Sequence, residues 1–286
     1  MIVSVKSKSR AMFAKVSATA LLFVAASAAH ASLVTIPAAG LKASPGVYTA
    51  GGYYTNALGP NIVTTGGVNA ANVGQLNGRN DDGFQALSLG FNVTFFGQTY
   101  NSLFINNNGS VSFGSGVAAY IPTGPTGANA PIISPFFGDV DTRNPGSGVV
   151  HYNLQQDQLV VTWDKVGYYS SHADLTNSFQ LVLRSDNYNP AVGEGVIGFF
   201  YQTMGWEKTD TSKFAAVGFG NGSGDGQTIA GSLDPKMNTV VQNKYIWFDA
   251  KLDTVPPAGV PEPSVLALLA IGLLGAGLSA RRKTQG

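Results

Sequence analysis

The sequence predicts an all-β protein: an antiparallel β-sandwich flanked by an N-terminal signal peptide and a C-terminal membrane helix. Short apolar, β-branched and aromatic runs follow one another from about residue 84 to 250, separated by Gly, Asn, Asp and Pro, which is typical of many short strands. No stretch of that region shows a convincing helical period. Each end of the chain carries an apolar run beside a cluster of basic residues.

Residues 1–31 have the three parts of a secretory signal peptide. An apolar, small-residue core at 16–29 ends in Ala29-His30-Ala31, an A-x-A cleavage site. The basic start consists of Lys6, Lys8, Arg10 and Lys15. We expect cleavage after Ala31. The alternative, a second membrane helix, is disfavoured because the apolar core is too short and ends in small residues.

Residues 32–83 are rich in Gly, Asn and Ala and show little periodicity. This composition predicts a loosely structured arm with one or two edge strands. The body of the protein is free of cysteine, so it must be stable through burial alone.

Residues 84–253 form the predicted β domain. Apolar residues alternate along several runs, as in Leu159, Val161 and Trp163, and this period of two places them on one face of a strand. The predicted strands are 87–96, 102–106, 110–113, 149–154, 158–163, 178–184, 196–202, 214–219 and 245–249. The predicted core includes Phe95, Phe104, Phe136, Trp163, Phe179, Leu181 and Trp247.

Two blocks within the β domain are more specific than composition. The first is Asn106-Asn107-Asn108-Gly109 followed by Ser110-Val111-Ser112-Phe113, and the second is Pro135-Phe136-Phe137-Gly138-Asp139-Val140-Asp141-Thr142. With a later Val161-Thr162-Trp163 strand, this succession resembles the nidogen-like (NIDO) extracellular domain over about 84–250. It departs from the family at Phe137-Gly138, where a Trp-Ala pair is common. The resemblance implies a role in surface attachment or matrix and leaves the ligand of the domain open.

The C-terminus has a tripartite order. Residues 254–263 form a Pro-rich linker that ends in Val260-Pro261-Glu262-Pro263, and residues 264–286 form the predicted membrane helix with its basic tail. The apolar run 265–280 would span roughly 24 Å as a helix, and Arg281, Arg282 and Lys283 would hold its end in the cytoplasm. This order resembles the PEP-CTERM sorting signal, which implies recognition and cleavage by an exosortase.

The charge of the body limits its partners. Ten basic and fifteen acidic residues lie between 32 and 259, a net charge near −5, with no basic stripe of the kind that nucleic-acid binding requires. The sequence Gly193-Glu194-Gly195-Val196-Ile197-Gly198 matches G-x-G-x-x-G, but it leads into a strand and so lacks the phosphate-binding context. We expect no catalytic residues and no cofactor.

Asp139 and Asp141 are the candidate metal ligands. Two residues apart in an extended chain, they point to the same side, and carboxylate oxygens suit Ca²⁺. The alternative, which we favour from the sequence, is structural: Asp139 caps a turn while Asp141 pairs with Arg143.

Together these features predict a protein exported through the inner membrane, transiently anchored by its tail and then found at the cell surface or outside the cell. We expect an adhesion or biofilm-matrix component with exosortase, exopolysaccharide or other surface proteins as partners. A carbohydrate-binding module is the first alternative, with Tyr168, Tyr169, Tyr188 and Trp206 as candidate stacking residues. An exported glycoside hydrolase is a more distant one, because it needs two carboxylates across a cleft.

Overall fold

A computed structural model describes residues 33–43, 52–64, 77–207 and 213–249. The strands of this part of the chain are β1 (Leu33–Ile36), β2 (Lys42–Ala43), β3 (Asn61–Ile62), β4 (Phe84–Phe95), β5 (Gln98–Asn106), β6 (Ser110–Ser112), β7 (Ile132–Phe137), β8 (Val150–Leu154), β9 (Gln158–Tyr168), β10 (His172–Arg184), β11 (Ile197–Met204), β12 (Ala216–Gly220), β13 (Gly226–Ile229) and β14 (Lys244–Phe248). One short helix, α1 (Met237–Val241), and two 3-10 turns, Ala38–Gly40 and Pro125–Gly127, complete these elements.

The strands form two seven-stranded sheets. The first has the order β1-β13-β12-β7-β6-β5-β4, and the second has the order β2-β14-β11-β10-β9-β8-β3. The pair β1–β13 is parallel, and the other strand pairs are antiparallel. The predicted all-β sandwich is therefore confirmed.

The main core contains apolar side chains from both sheets. Trp163 and Phe179 of the second sheet stack with ring centroids 5.0 Å apart, and Phe136 of the first sheet packs against Phe179 at 5.7 Å. Phe95, Phe136, Trp163, Phe179 and Leu181, all predicted core residues, are buried. Burial of this kind contributes about 1.5–3 kcal/mol for each large apolar side chain.

Two predicted core residues, Phe104 and Trp247, are only partly buried. The cause is the two-residue period of a strand, which turns neighbouring side chains to opposite faces. Leu103 and Ile105 face the core on either side of Phe104. Likewise Ile246 and Phe248 face the core, so Trp247 lies on the outer face of the second sheet, against Phe200 at 5.2 Å.

The arm (32–83) takes part in the sandwich. Its strands β1, β2 and β3 lie at three of the four sheet edges. Residues near 53–55 lie over the outer face of the second sheet, where Tyr53 donates a hydrogen bond to Asp164 (3.1 Å) and the Gln180 side chain donates to the carbonyl of Thr55 (2.9 Å).

Candidate functional site

The two sequence blocks that carry the NIDO resemblance contact each other at one end of the sandwich. The turn between β5 and β6 presents Asn107 and Asn108, and the segment after β7 presents Gly138 and Val140. The Asn107 amide donates to the carbonyl of Val140, and Asn108 Oδ1 accepts from the Val140 N–H at 2.9 Å. The Gly138 N–H donates to the Asn108 carbonyl at 3.2 Å. Since these hydrogen bonds are buried, each block holds the other in place.

The contact between these two blocks also depends on a close backbone approach at Gly109 and on a hydrogen bond from the core. Gly109 has φ = +80°, and a Cβ built there would lie 1.9 Å from the carbonyl oxygen of Phe136. Trp163 donates its indole N–H to the Asn107 carbonyl at 2.9 Å. The turn therefore needs glycine at 109 and is tied directly to the middle of the second sheet.

A third segment, just before β4, completes the site. The Thr142 N–H donates to the Asn80 carbonyl at 2.9 Å, and the Asn80 N–H donates to the Thr142 hydroxyl at 2.8 Å. These bonds bring Asp81 beside Asp141 in an antiparallel bridge. As a result, one carboxylate oxygen from each of Asp81, Asp82 and Asp139 lies within 4.8 Å of the other two. We call these three residues the acidic cluster.

Asp141 lies next to the acidic cluster but is bonded elsewhere. Its Oδ1 accepts from the Arg143 Nε at 3.0 Å and from the Arg143 backbone N–H at 2.9 Å. Its Oδ2 accepts from Arg143 Nη2 at 2.5 Å and from the Ser171 N–H at 2.7 Å. The bond to Asp141 raises the pKa of Arg143 above its usual range. Asp141 thus forms the ion pair with Arg143 that was one of the two alternatives drawn from the sequence.

Asp81 is an unusual carboxylate in this setting. Its Oδ2 meets Arg143 Nη2 at 2.7 Å, whereas its buried Oδ1 accepts no hydrogen bond from the described residues. Burial, followed by the charges of Asp141 and Asp82, raises its pKa to about 7, and Arg143 opposes that rise. The ionised form of the Asp81 carboxyl group is therefore disfavoured unless a further positive charge lies nearby.

The structure brings together one of the two predicted metal ligands, Asp139, with two residues that the sequence reading missed. Asp139 is buried, and its backbone carbonyl accepts from the Tyr169 N–H at 3.1 Å. Asp81 and Asp82 lie far from it in sequence. The local signal that could have pointed to them is Asn80-Asp81-Asp82-Gly83, an acidic pair in a turn directly before the first long strand.

The candidate stacking aromatics differ in exposure. Trp206 is buried and donates its indole N–H to the Val166 carbonyl at 3.0 Å. Tyr168 stacks on His172 with ring centroids 4.8 Å apart, and the guanidinium of Arg184 lies 4.3 Å from the centroid of the Tyr188 ring. Tyr169 is 42% exposed. Of these four residues, Tyr169 is the one that offers the most open ring to a saccharide.

On the outer face of the second sheet, Arg184 forms a polar and aromatic cluster that sequence reasoning missed. Its guanidinium lies 4.3 Å from the centroid of the Trp247 ring and forms a 2.6 Å ion pair with Glu194. The Arg184 side chain is buried, and it donates hydrogen bonds to the Gln158 side chain at 2.9 Å and to the Gly195 carbonyl at 2.8 Å. This arrangement stabilises the sheet through cation–π contacts and charge-assisted hydrogen bonds.

The targeting segments lie outside the described residues. These are the predicted signal peptide with Ala29 and Ala31, the motif Val260–Pro263, the predicted membrane segment 264–286 and its basic residues Arg281, Arg282 and Lys283. In the part of the chain that the structure describes, none of the helices has the length and apolar character needed to cross a bilayer.

Comparison with known proteins identifies both parts of the chain. A family model described as NIDO related matches residues 53–256, and one described as PEP-CTERM protein-sorting motif matches residues 259–283. A PEP-CTERM motif implies exosortase-mediated sorting, with export across the inner membrane and transient anchoring.

Curated relatives agree with the first match. Alpha-tectorin of Mus musculus is 31% identical over 134 residues, which cover 37% of this chain and 6% of the relative. Nidogen of Drosophila melanogaster is 27% identical over 117 residues, which cover 32% of this chain and 9% of the relative. The match thus spans less than a tenth of either relative, and no solved structure matches. The chain belongs to the NIDO-related family and carries a PEP-CTERM protein-sorting motif at its C-terminal end.

Proposed function

We propose that this protein is a non-catalytic adhesion or biofilm-matrix component whose NIDO-related sandwich makes contacts at the cell surface. The observation that carries the proposal is the adjacency of the two family matches. The NIDO-related region ends at residue 256 and the sorting motif begins at residue 259. The sandwich is therefore most of the protein that the sorting motif would deliver, and we assign the extracellular function to the sandwich.

The character of the sandwich supports this role. It has a large aromatic core and no cysteine, so its stability does not depend on the redox state of its surroundings. The edge strand β4 is partly covered: Asp186 accepts from the Thr94 N–H at 2.6 Å, and the Asp186 N–H donates to the Asn92 carbonyl at 2.9 Å. Covered edges limit uncontrolled strand pairing between copies, which suits a protein concentrated at a surface.

Binding of exopolysaccharide is the second candidate, and one observation favours it. Tyr169, an exposed aromatic residue, lies directly beside the acidic cluster, because its N–H donates to the Asp139 carbonyl. Aromatic rings and carboxylates side by side can stack on a sugar ring and accept hydrogen bonds from its hydroxyl groups.

The test is attachment by a host strain that lacks the gene, complemented with defined variants. We expect the deletion to reduce surface attachment and biofilm mass, the wild-type gene to restore both, and a chain ending at residue 259 to restore neither. Full attachment by the deletion strain would contradict the proposal.

The saccharide candidate needs a separate binding measurement. Purified mature protein is titrated against exopolysaccharide from the same host. Tyr169→Ala should weaken binding, while Tyr169→Phe, which keeps the ring, should leave it nearly unchanged. If Tyr169→Ala and Tyr169→Phe both bound as tightly as the wild-type protein, Tyr169 would not be a saccharide-binding residue.

A further inference from the structure

The acidic cluster concentrates carboxylates at one end of the sandwich. Asp81, Asp82 and Asp139 bring one oxygen each to within 4.8 Å of one another, and Asp141 adds a fourth carboxylate beside them. Among the ion pairs of the described residues, Arg143 is the cation that reaches this group, and it bonds to both Asp141 and Asp81. Like charges at this spacing repel strongly where water is excluded.

A second observation points to a missing positive ligand. Asp81 is 5% exposed, and its Oδ1 accepts no hydrogen bond from the described residues. A buried carboxylate oxygen without a donor is unfavourable, and buried charges in proteins are paired or coordinate metals. Arg143 cannot supply the missing contact with the same nitrogen, because its Nη2 already binds Asp81 Oδ2 and Asp141 Oδ2.

The spacing of the oxygens fits a single ion. Calcium binds oxygen ligands at about 2.3–2.6 Å, so two ligands on opposite sides of one ion are separated by roughly 4.6–5.2 Å. The three carboxylate oxygens, all within 4.8 Å of one another, can therefore surround one cation. We propose that Asp81, Asp82 and Asp139 bind Ca²⁺.

The structure also explains the choice of ligands and of metal. Asp141 is not a ligand, because four N–H donors from Arg143 and Ser171 already occupy its two oxygens. Asp82 is half-buried, so the ion reaches the site from its side, and water completes the six to eight oxygens that calcium takes. The ligand set is all oxygen, which favours calcium over zinc or copper. Two loops supply the ligands, and calcium tolerates such irregular geometry better than magnesium.

The binding event links three segments that are distant in sequence. An ion held by Asp81, Asp82 and Asp139 would join the segment before β4 to the segment after β7, which already hydrogen-bonds to the β5–β6 turn. It would therefore stabilise the end of the sandwich formed by both family blocks. This role does not depend on what the sandwich attaches to, so the site and the proposed adhesion function can fail independently.

The experiment measures calcium binding by the purified mature protein after chelator treatment. We expect isothermal titration calorimetry with CaCl₂ to show one site with a Kd of about 10⁻⁴ to 10⁻³ M, as in other extracellular modules. About 10 mM Ca²⁺ should then raise the melting midpoint by roughly 3 to 10 °C. Mg²⁺ at the same concentration should give less than half of that rise.

Three variants locate the site. Asp139→Asn and Asp82→Asn should each weaken calcium binding at least tenfold and remove most of the rise in melting midpoint. Asp234→Asn removes an exposed carboxylate outside the cluster and should leave both unchanged. If Asp139→Asn fails to fold, the half-buried Asp82 still gives a readable variant. The proposal is overturned by a wild-type protein that shows neither heat of binding nor a change of midpoint. Equal responses to Ca²⁺ in all three variants would overturn the assignment to this site. A response to Mg²⁺ equal to the response to Ca²⁺ would overturn the assignment to calcium.

Discussion

At the scale of single residues, Trp163 connects the core to the candidate site. Its ring stacks on Phe179, and its indole N–H donates to the carbonyl of Asn107 in the turn that holds Val140. The side chain is fully buried. One residue therefore supports both the packing between the sheets and the position of the turn that supports the acidic cluster.

Replacing Trp163 separates these two contributions. Trp163→Ala leaves a large cavity and should lower the free energy of unfolding by about 3–5 kcal/mol. Trp163→Phe keeps most of the ring but leaves the buried Asn107 carbonyl without its donor, which should cost about 1–3 kcal/mol. Urea denaturation of the mature protein measures both. A wild-type midpoint for Trp163→Ala would contradict the position of Trp163 in the core.

The sequence predicted individual buried residues well where alternation was strict, as at Leu159, Val161 and Trp163, which all face the core. The prediction of burial in the core was wrong for Phe104 and Trp247. Both side chains lie on the outer faces of the sheets, where Phe104 packs on Phe84 and Trp247 packs on Arg184. The acidic cluster could not be predicted, since a contact between Asp81 and Asp139 arises only when the sandwich brings distant turns together.

At the scale of elements, most of the predicted strands are present, and the missed ones have identifiable causes. All six residues of β7 (Ile132–Phe137) are buried, so the strand has no alternation and contains a proline, which disfavours a strand assignment. β13 (Gly226–Ile229) follows a run of alternating glycines that reads as a loop. The five residues of α1 are too few to show a helical period.

The β5–β6 turn allows a test of the close approach at Gly109. Gly109→Ala should cost about 3 kcal/mol or more, because about 1–3 kcal/mol of backbone strain adds to a steric clash of similar size with the Phe136 carbonyl. Gly97 is a matched control, since it also has positive φ (+72°) but has no atoms within 4 Å of an added Cβ. Gly97→Ala should cost only about 1–2 kcal/mol. Equal losses of stability in denaturant titrations would show that the turns do not pack as closely as described.

At the scale of the whole molecule, the protein is a cysteine-free NIDO-related sandwich followed in sequence by a PEP-CTERM sorting motif. Its family membership and its sorting motif were both predictable from sequence, because each depends on a local order of residues. The arrangement of the strands of the described residues in two sheets was not predictable, because strand order depends on contacts between distant segments. Sorting is thus predictable from the C-terminal motif, whereas the side chains brought together at the surface can be identified only in the folded structure.

Peptide mapping by mass spectrometry of the protein from the extracellular and surface fractions of its native host tests the central claim, that the chain is an exported and exosortase-sorted NIDO-related protein. The mature N-terminus is expected at Ser32, and peptides are expected to end at or near Pro261-Glu262-Pro263. Peptides from the sandwich should be abundant in both fractions. Recovery from those fractions of intact peptides that contain Arg281, Arg282 and Lys283 would contradict the account.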